Sequence, residues 1–186
     1  MNKKQINNLT QQIIRLKRQK YPVLVIVLIV VVSLLVSNDW LQNYLFPKAG
    51  DECEVIKIYD GDTMTLQCPN SSKPTKVRMY CIDTPEMKQS PWGIQARDHL
   101  RSITGKTVRL VAIDKDRYGR VVGEVFDGDV KLNLAQVKAG KAAVYYTYCD
   151  EPEYIQAEQE AKQARLGIWA EAGMQQTPWD WRRAQR

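Results

Sequence analysis

Residues 53–68 read Cys53-Glu54-Val55-Ile56-Lys57-Ile58-Tyr59-Asp60-Gly61-Asp62-Thr63-Met64-Thr65-Leu66-Gln67-Cys68, two β-rich runs on either side of an Asp-Gly dipeptide. The run from Thr63 to Cys68 alternates cleanly, as a half-buried strand does, and Asp60-Gly61 is a two-residue hairpin signal. A two-residue turn there sets Cys53 opposite Cys68, since the positions of each facing pair then add to the same total. Four cysteines allow three connectivities. This register favours Cys53–Cys68 and, by elimination, Cys81–Cys149, but a single bulge would shift it, so the pairing stays open at the level of sequence.

Outward from this hairpin, further β-rich runs fall at 75–82, 107–113, 120–126 and near 130. Helical stretches interrupt them at 91–104, 132–139 and 153–166, the last two stopping before Gly140 and Gly167. In the first, Ile94, Leu100 and Ile103 are placed on one side. Strands, a helix, more strands and two helices are not the alternation of a parallel sheet. A mainly β, α+β architecture is expected, with a small antiparallel barrel and attached helices.

The 186-residue chain is 44% hydrophobic and 26% charged, with 10 Gly and 8 Pro, which excludes disordered, collagen-like and fully membrane-embedded classes. The net charge of +6 does not mark the barrel as a nucleic-acid binder. Residues 1–20 hold six of the 27 basic residues and no acid, so the remainder balances all 21 Asp and Glu.

Those six cations precede an uncharged run, 21–37, apolar from Val23 to Val36 except for Ser33. Its length is close to what crosses a bilayer, and Trp40, Tyr44 and Phe46 follow as interfacial aromatics. The expected organisation is a basic cytoplasmic segment 1–20, a transmembrane anchor 21–37, a linker 38–52, a barrel domain 53–171 and an aromatic-basic extension 172–186. The charge asymmetry predicts an exported, periplasmic or extracellular, C-terminal part. No small-x-small cleavage site follows Val36 to favour a removed signal peptide. All four cysteines lie beyond the span, where an oxidising compartment favours disulfides. No Cys-x-x-Cys is present and the single histidine, His99, is remote from the cysteines, which argues against zinc.

Each candidate chemical motif has an ordinary structural reading. Asp60-Gly61-Asp62-Thr63 reads as a turn, Asp83-Thr84-Pro85-Glu86 as a strand end, Arg78 as a strand residue and Asp116-Arg117-Tyr118-Gly119-Arg120 as a charged turn. An EF-hand beginning at Asp114 fails because Val125 occupies the position of the bidentate carboxylate. Together the residues point elsewhere. Carboxylates without a useful His, Ser or Cys nucleophile suit a hard cation such as Ca2+. Arginines beside them suit an anion held between, and a phosphate fits bidentate guanidinium groups.

These motifs, with Leu166-Gly167-Ile168-Trp169, occur in the order and approximate spacing of the staphylococcal nuclease (thermonuclease) family, which the chain resembles over roughly 53–171. The resemblance implies an OB-fold five-stranded barrel with three helices. It also implies Ca2+-dependent hydrolysis of DNA and RNA that leaves 3′-phosphate ends. By position it makes Asp62 and Asp83 carboxylate ligands of Ca2+ and Thr84 a carbonyl ligand. Glu86 becomes the general base or water-orienting residue, and Arg78 and Arg120 the phosphate-clamping arginines. Arg117 and Tyr118 fall at a terminal-phosphate contact, with Arg117 in place of the more familiar lysine, and Tyr145, near Tyr146 and Tyr148, at a stacking position. The loop from Glu86 to Ala96 is shorter than the archetype's lysine-rich loop. Pro178-Trp179-Asp180-Trp181-Arg182-Arg183 extends beyond the archetypal domain and has the character of a docking segment, while His99 reads as structural. The alternative expectation is a catalytically idle, membrane-tethered OB module that only holds nucleic acid.

Overall fold

The first hairpin sets the barrel, although its turn is not the two-residue one expected. In the computed structural model, which describes residues 50–186, β1 (Asp51–Ile58) pairs antiparallel with β2 (Thr63–Gln67). Near the tip Ile58 faces Met64 and Lys57 faces Thr65, which leaves a longer loop closed by the Tyr59 N–H donating to the Thr63 carbonyl at 3.0 Å. A bulge between Val55 and Lys57 then takes up one residue, so Val55 faces Leu66 and Glu54 faces Gln67. The two offsets cancel. Cys53 and Cys68 therefore still meet, in a disulfide with a Cα–Cα distance of 4.2 Å. Ile56, the bulged residue, turns outward and is 53% exposed.

β3 (Thr75–Met79) adds to β2, β5 (Thr107–Lys115) to the other edge of β1, and β6 (Val121–Asp127) to β5. A parallel contact of β3 with β6, pairing Val77 with Val121 and Met79 with Gly123, closes the five strands into a barrel. The short β7 (Val130–Lys131) extends β6. Met64, Leu66, Val77, Met79, Val108, Leu110 and Val125 are buried members of one core. This is the expected OB-type barrel.

The run expected as one strand over 75–82 is two. The chain turns after Met79, and β4 (Ile82–Asp83) pairs instead with β8 (Ala143–Val144), outside the barrel sheet. That turn carries Cys81, whose disulfide with Cys149 fulfils the second expected pairing.

The three expected helices are α1 (Trp92–Ser102), α2 (Leu132–Lys138) and α3 (Pro152–Gln163). The face assigned to α1 needs correction. Gly93, Ala96 and Leu100 are buried, whereas Ile94 is 41% exposed, because a six-residue step from 94 to 100 does not return to the same side of a helix. A 3-10 turn at Gly167–Trp169 and another at Met174–Gln176 lead to α4 (Pro178–Ala184), built from the extension.

The expected basic segment 1–20 and anchor 21–37, and the linker 38–52 up to Ala49, lie outside the described residues. Among the described residues no helix is long and apolar enough to cross a membrane.

Candidate active site

Strand register brings the first three charged residues together. Thr63 on β2 faces Arg78 on β3, which sets Arg78 beside Asp62 at the end of the hairpin loop. The Arg78 guanidinium bridges two carboxylates, with Nη1 donating to Asp62 Oδ1 and Nη2 to Asp83 Oδ1. Asp62 is 1% exposed and Asp83 fully buried, so each carboxylate requires a compensating partner.

Thr84 completes the hold on Asp62: its backbone N–H and its hydroxyl donate to Asp62 Oδ2 at 2.8 and 2.9 Å. Burial pushes the Asp62 carboxyl above its ordinary value; Arg78 opposes this, Asp60 adds to it, and the Thr84 hydrogen bonds oppose it. Burial alone would lower the Arg78 pKa, but Asp62 and Asp83 together hold it above the ordinary arginine value.

The loop carrying Asp62 is fixed from behind. Gln136 of α2 donates its amide to the Gly61 carbonyl at 2.6 Å and to the Ala96 carbonyl at 3.0 Å, and its Oε1 lies 2.5 Å from His99 Nδ1. Gly61 is required by close approach: a Cβ there would lie 2.7 Å from Ala96 Cβ and 2.8 Å from Thr84 Cγ2. His99, expected to be structural, meets Gln136 behind this loop.

Glu86 stands at the half-buried mouth of the same acidic group. Its N–H donates to Gln89 Oε1 at 2.8 Å, and its carbonyl accepts from the Gln89 N–H at 2.7 Å, a tight reciprocal turn. Gln89 also donates to the Met174 carbonyl at 3.1 Å, which ties this loop to the extension.

A residue outside the expected site set joins here. Arg182 of α4 donates through Nη2 to Asp83 Oδ2 at 2.7 Å and through Nη1 to Asp83 Oδ1 at 3.1 Å and Glu86 Oε1 at 2.8 Å. Partial burial would lower its pKa, but Asp83 and then Glu86 raise it well above the ordinary arginine value. The sequence marked residues 178–183 as a docking segment without indicating where it docks.

The remaining expected residues form two flanking groups. In the β5–β6 turn, Asp116 Oδ1 accepts the N–H groups of Tyr118 and Arg120 at 2.9 and 3.0 Å, while Arg120 Nε donates to Asp116 Oδ2 at 2.6 Å. Burial would raise the Asp116 pKa, yet the side-chain and backbone hydrogen bonds from Arg120 and that from Tyr118 bring it below its ordinary value. Tyr118 is 68% exposed, and the guanidiniums of Arg117 and Arg120 lie 5.0 and 5.7 Å from its ring centre. Arg120 is not hydrogen-bonded or ion-paired to Asp62, Asp83 or Glu86 here; Asp116 holds it.

On the other flank the Tyr145 N–H donates to the Cys81 carbonyl at 2.9 Å, two residues before Asp83. Its ring meets Tyr148 edge-on at 5.3 Å and stacks on Trp179 at 5.5 Å with an interplanar angle of 22°. Tyr146 is engaged elsewhere, donating to Glu158 at 2.6 Å.

Among the described residues no group of three or more His, Cys, Asp or Glu side chains forms a ready-made metal cage. The donor chemistry nevertheless fits a hard cation. The carboxylates of Asp62 and Asp83 converge on one guanidinium, and the Thr84 carbonyl follows directly in the chain. One half-buried arginine, Arg78, does not balance Asp62, Asp83 and Glu86 together, so a further positive charge is favoured at this point. Here Arg182 supplies it.

The sequence has counterparts in known proteins. Residues 76–171 match the staphylococcal nuclease homologue family, a stretch that includes Arg78, Asp83, Thr84, Glu86, Arg120 and Tyr145. The chain is 37% identical over 130 residues to an uncharacterized endonuclease of Escherichia coli, covering 69% of this chain and 82% of that protein. It is 37% identical over 135 residues to an uncharacterized endonuclease of Haemophilus influenzae, covering 72% and 74% of the two. A probable staphylococcal-like nuclease of Oryza sativa is 40% identical over 112 residues, and there the chain spans only 29% of the relative. Asp62 lies outside the matched stretch but is bound to it by Arg78 and Thr84. By the match over residues 76–171 and the identity to these relatives, the chain belongs to the staphylococcal nuclease homologue family.

Proposed function

We propose that this protein is a Ca2+-dependent nuclease that hydrolyses phosphodiester bonds of DNA and RNA with little sequence preference, leaving 3′-phosphate ends, while tethered to the outer side of a membrane. The observation that carries the reading is the Arg78 guanidinium bridging the buried Asp62 and Asp83, with Glu86 at the same mouth. That combination places anion-binding and oxygen-donor groups at one point on a rigid barrel.

Asp62, Asp83 and the Thr84 carbonyl would hold the Ca2+. When bound, the ion supplies positive charge that stabilises the negative phosphate oxygens of the transition state. Glu86 orients the attacking water and accepts its proton as the new bond to phosphorus forms. Arg78 and Arg120 hold the non-bridging oxygens where charge grows. The bond to the 5′ oxygen breaks with its electron pair on that oxygen, and Arg120 assists its protonation, giving a 5′-hydroxyl and a 3′-phosphate. Asp116 orients Arg120 until substrate arrives. Arg117 and Tyr118 contact a terminal phosphate, and Tyr145 stacks on a base. Such contacts go to backbone and π-faces, which every sequence offers.

The test is incubation of the purified full chain with DNA and RNA, single- and double-stranded, in Ca2+ and in EGTA, followed by end-group assay. Products carrying 3′-phosphate and 5′-hydroxyl ends, formed only in Ca2+, are expected. Nucleic-acid binding without cleavage in Ca2+ would instead establish the idle OB module. Protease added to intact cells tests the tether: digestion of the barrel with the first 20 residues spared is expected, and full protection of the barrel refutes the orientation.

A further inference from the structure

Arg182 and Trp179 lie three residues apart on α4, a spacing that places their side chains on the same side of a helix. One meets the acidic group and the other the stacking tyrosine. Arg182 covers both oxygens of Asp83 and one of Glu86, and Trp179 lies 5.5 Å from Tyr145 in a stacked pose. A guanidinium takes the place of a cation, and an indole that of a base. We propose that the C-terminal arm, residues 177–186, is an intramolecular inhibitor that occupies the cation and base-stacking positions and is displaced when Ca2+ and a nucleic-acid strand bind. The proposal rests on the roles given above to Asp83, Glu86 and Tyr145.

The physical argument is exclusion. A cation cannot use the Asp83 oxygens while Arg182 donates to both, and like charges repel strongly at such a separation in a partly buried site. Glu86 cannot serve freely as a proton acceptor while its Oε1 receives the Arg182 hydrogen bond. A base cannot stack on the Tyr145 face that Trp179 covers.

The attachment is also suited to release. The segment just before the arm is anchored where Gln89 donates to the Met174 carbonyl at 3.1 Å, and Pro178 is the buried residue of α4. Beyond Pro178 the arm is half-buried or exposed, so its hold on the site is the Arg182 ion pairs and one aromatic stack rather than a sealed apolar face. An open cleft of about 480 Å³ is lined by Trp181, Arg182 and Gln185 of the arm and by Glu86, Met87 and Lys88 of the loop. Water and ions therefore reach the seam.

Competition by a docked arm lowers apparent affinity by the fraction of molecules that are open. Arg182→Gln in the full chain should bind Ca2+ at least ~3-fold more tightly by calorimetry and need correspondingly less Ca2+ for cleavage. Trp179→Ala should bind a short single-stranded oligonucleotide in EGTA more tightly by a similar factor. Arg186→Gln, at an exposed position outside these contacts, serves as the control and should match the parent. If Arg182→Gln fails to fold, a chain ending at Gln176 takes its place, with intact near-ultraviolet circular dichroism as the requirement. Unchanged Ca2+ affinity in a folded arm variant overturns the proposal, as does a fall in kcat at saturating Ca2+ with affinity unchanged, which would make Arg182 part of the catalytic machinery. Absence of Ca2+ binding in every chain overturns the competition as well. Tighter Ca2+ binding by Arg182→Gln without cleavage by any chain sustains the arm and refutes the nuclease reading; cleavage with identical Ca2+ affinities does the reverse.

Discussion

The Gln136 side-chain amide donates to the Gly61 carbonyl at 2.6 Å, across 75 residues of sequence. Helix α2 thereby grips the loop whose next residue is Asp62. Acidic-site geometry thus depends on a buried amide that contacts none of the acidic residues. The same amide donates to the Ala96 carbonyl and its oxygen meets His99, so all of its polar atoms are engaged inside the protein.

Gln136→Leu keeps the size and leaves the Gly61 and Ala96 carbonyls without this donor. A loss of ~1–3 kcal/mol is expected, the cost of leaving buried polar groups unsatisfied. Urea unfolding measures it, and Ca2+ affinity should fall in the same variant as the Asp62 loop loosens. Gly61→Ala should destabilise by a similar ~1–3 kcal/mol through overpacking against Ala96 and Thr84. Wild-type midpoints in both variants would refute the role of this contact.

Arg78→Ala should unfold far more readily than Glu86→Gln. Removing Arg78 leaves Asp62 and Asp83 buried without the cation that bridges them, which costs about 3–5 kcal/mol for a broken buried pair. Glu86 is half-buried at the rim, so Glu86→Gln should leave the midpoint nearly unchanged while lowering kcat with little effect on substrate binding. Added Ca2+ should not restore its rate. A near-normal kcat in folded Glu86→Gln would remove Glu86 from the mechanism.

Arg120→Ala should lower kcat by at least ~10², in line with arginines that meet transition-state phosphate charge elsewhere. Asp116→Asn should give a smaller fall, because Arg120 keeps its charge and loses only its orienting carboxylate. A fall in Asp116→Asn as large as in Arg120→Ala would mean that Asp116 itself takes part in the chemistry.

Reduction should act on two separate parts of the molecule. The Cys53–Cys68 bridge closes the first hairpin over a separation of 15 residues, for which chain entropy gives about 3 kcal/mol. The Cys81–Cys149 bridge ties the turn before Asp83 to the segment after Tyr145 and Tyr148. Cys81→Ser with Cys149→Ser should therefore raise KM for oligonucleotides more than Cys53→Ser with Cys68→Ser does, at matched stability. Equal KM values would show that the second bridge does not position Tyr145.

Alkaline pH should expose one linkage. Burial, the hydrogen bond to Glu158 and the Glu158 charge push the Tyr146 hydroxyl up to about 12. An acid whose folded pKa is raised keeps its full stabilising contribution below the ordinary tyrosine value of about 10 and loses it as pH rises through the folded value. Stability should fall between those points, and Tyr146→Phe should flatten that part of the profile. Identical alkaline stability profiles for the parent and Tyr146→Phe would refute the contact.

The local chemistry of the chain by itself determined most of the barrel. Alternation marked the strands and Gly140 the end of α2, because period and caps are properties of neighbouring residues; α3 instead stops at Gln163, short of the expected Gly167, with Arg165 in the left-handed conformation. The ordered acidic and arginine motifs likewise made the nuclease family legible before any contact was known. What needed the tertiary structure was every relation set by closure. The β1 bulge, which offsets a longer turn and preserves the Cys53–Cys68 pair, depends on how a strand bends around a barrel. The split of 75–82 depends on β8 arriving to pair with β4. Gln136 behind Gly61 and Arg182 across Asp83 and Glu86 join residues separated by 75, 99 and 96 positions, and no local pattern encodes such a meeting. An arginine in an aromatic-basic tail has the same local signature whether it faces water or an active site. Only the packing of α4 against the acidic mouth decides between them.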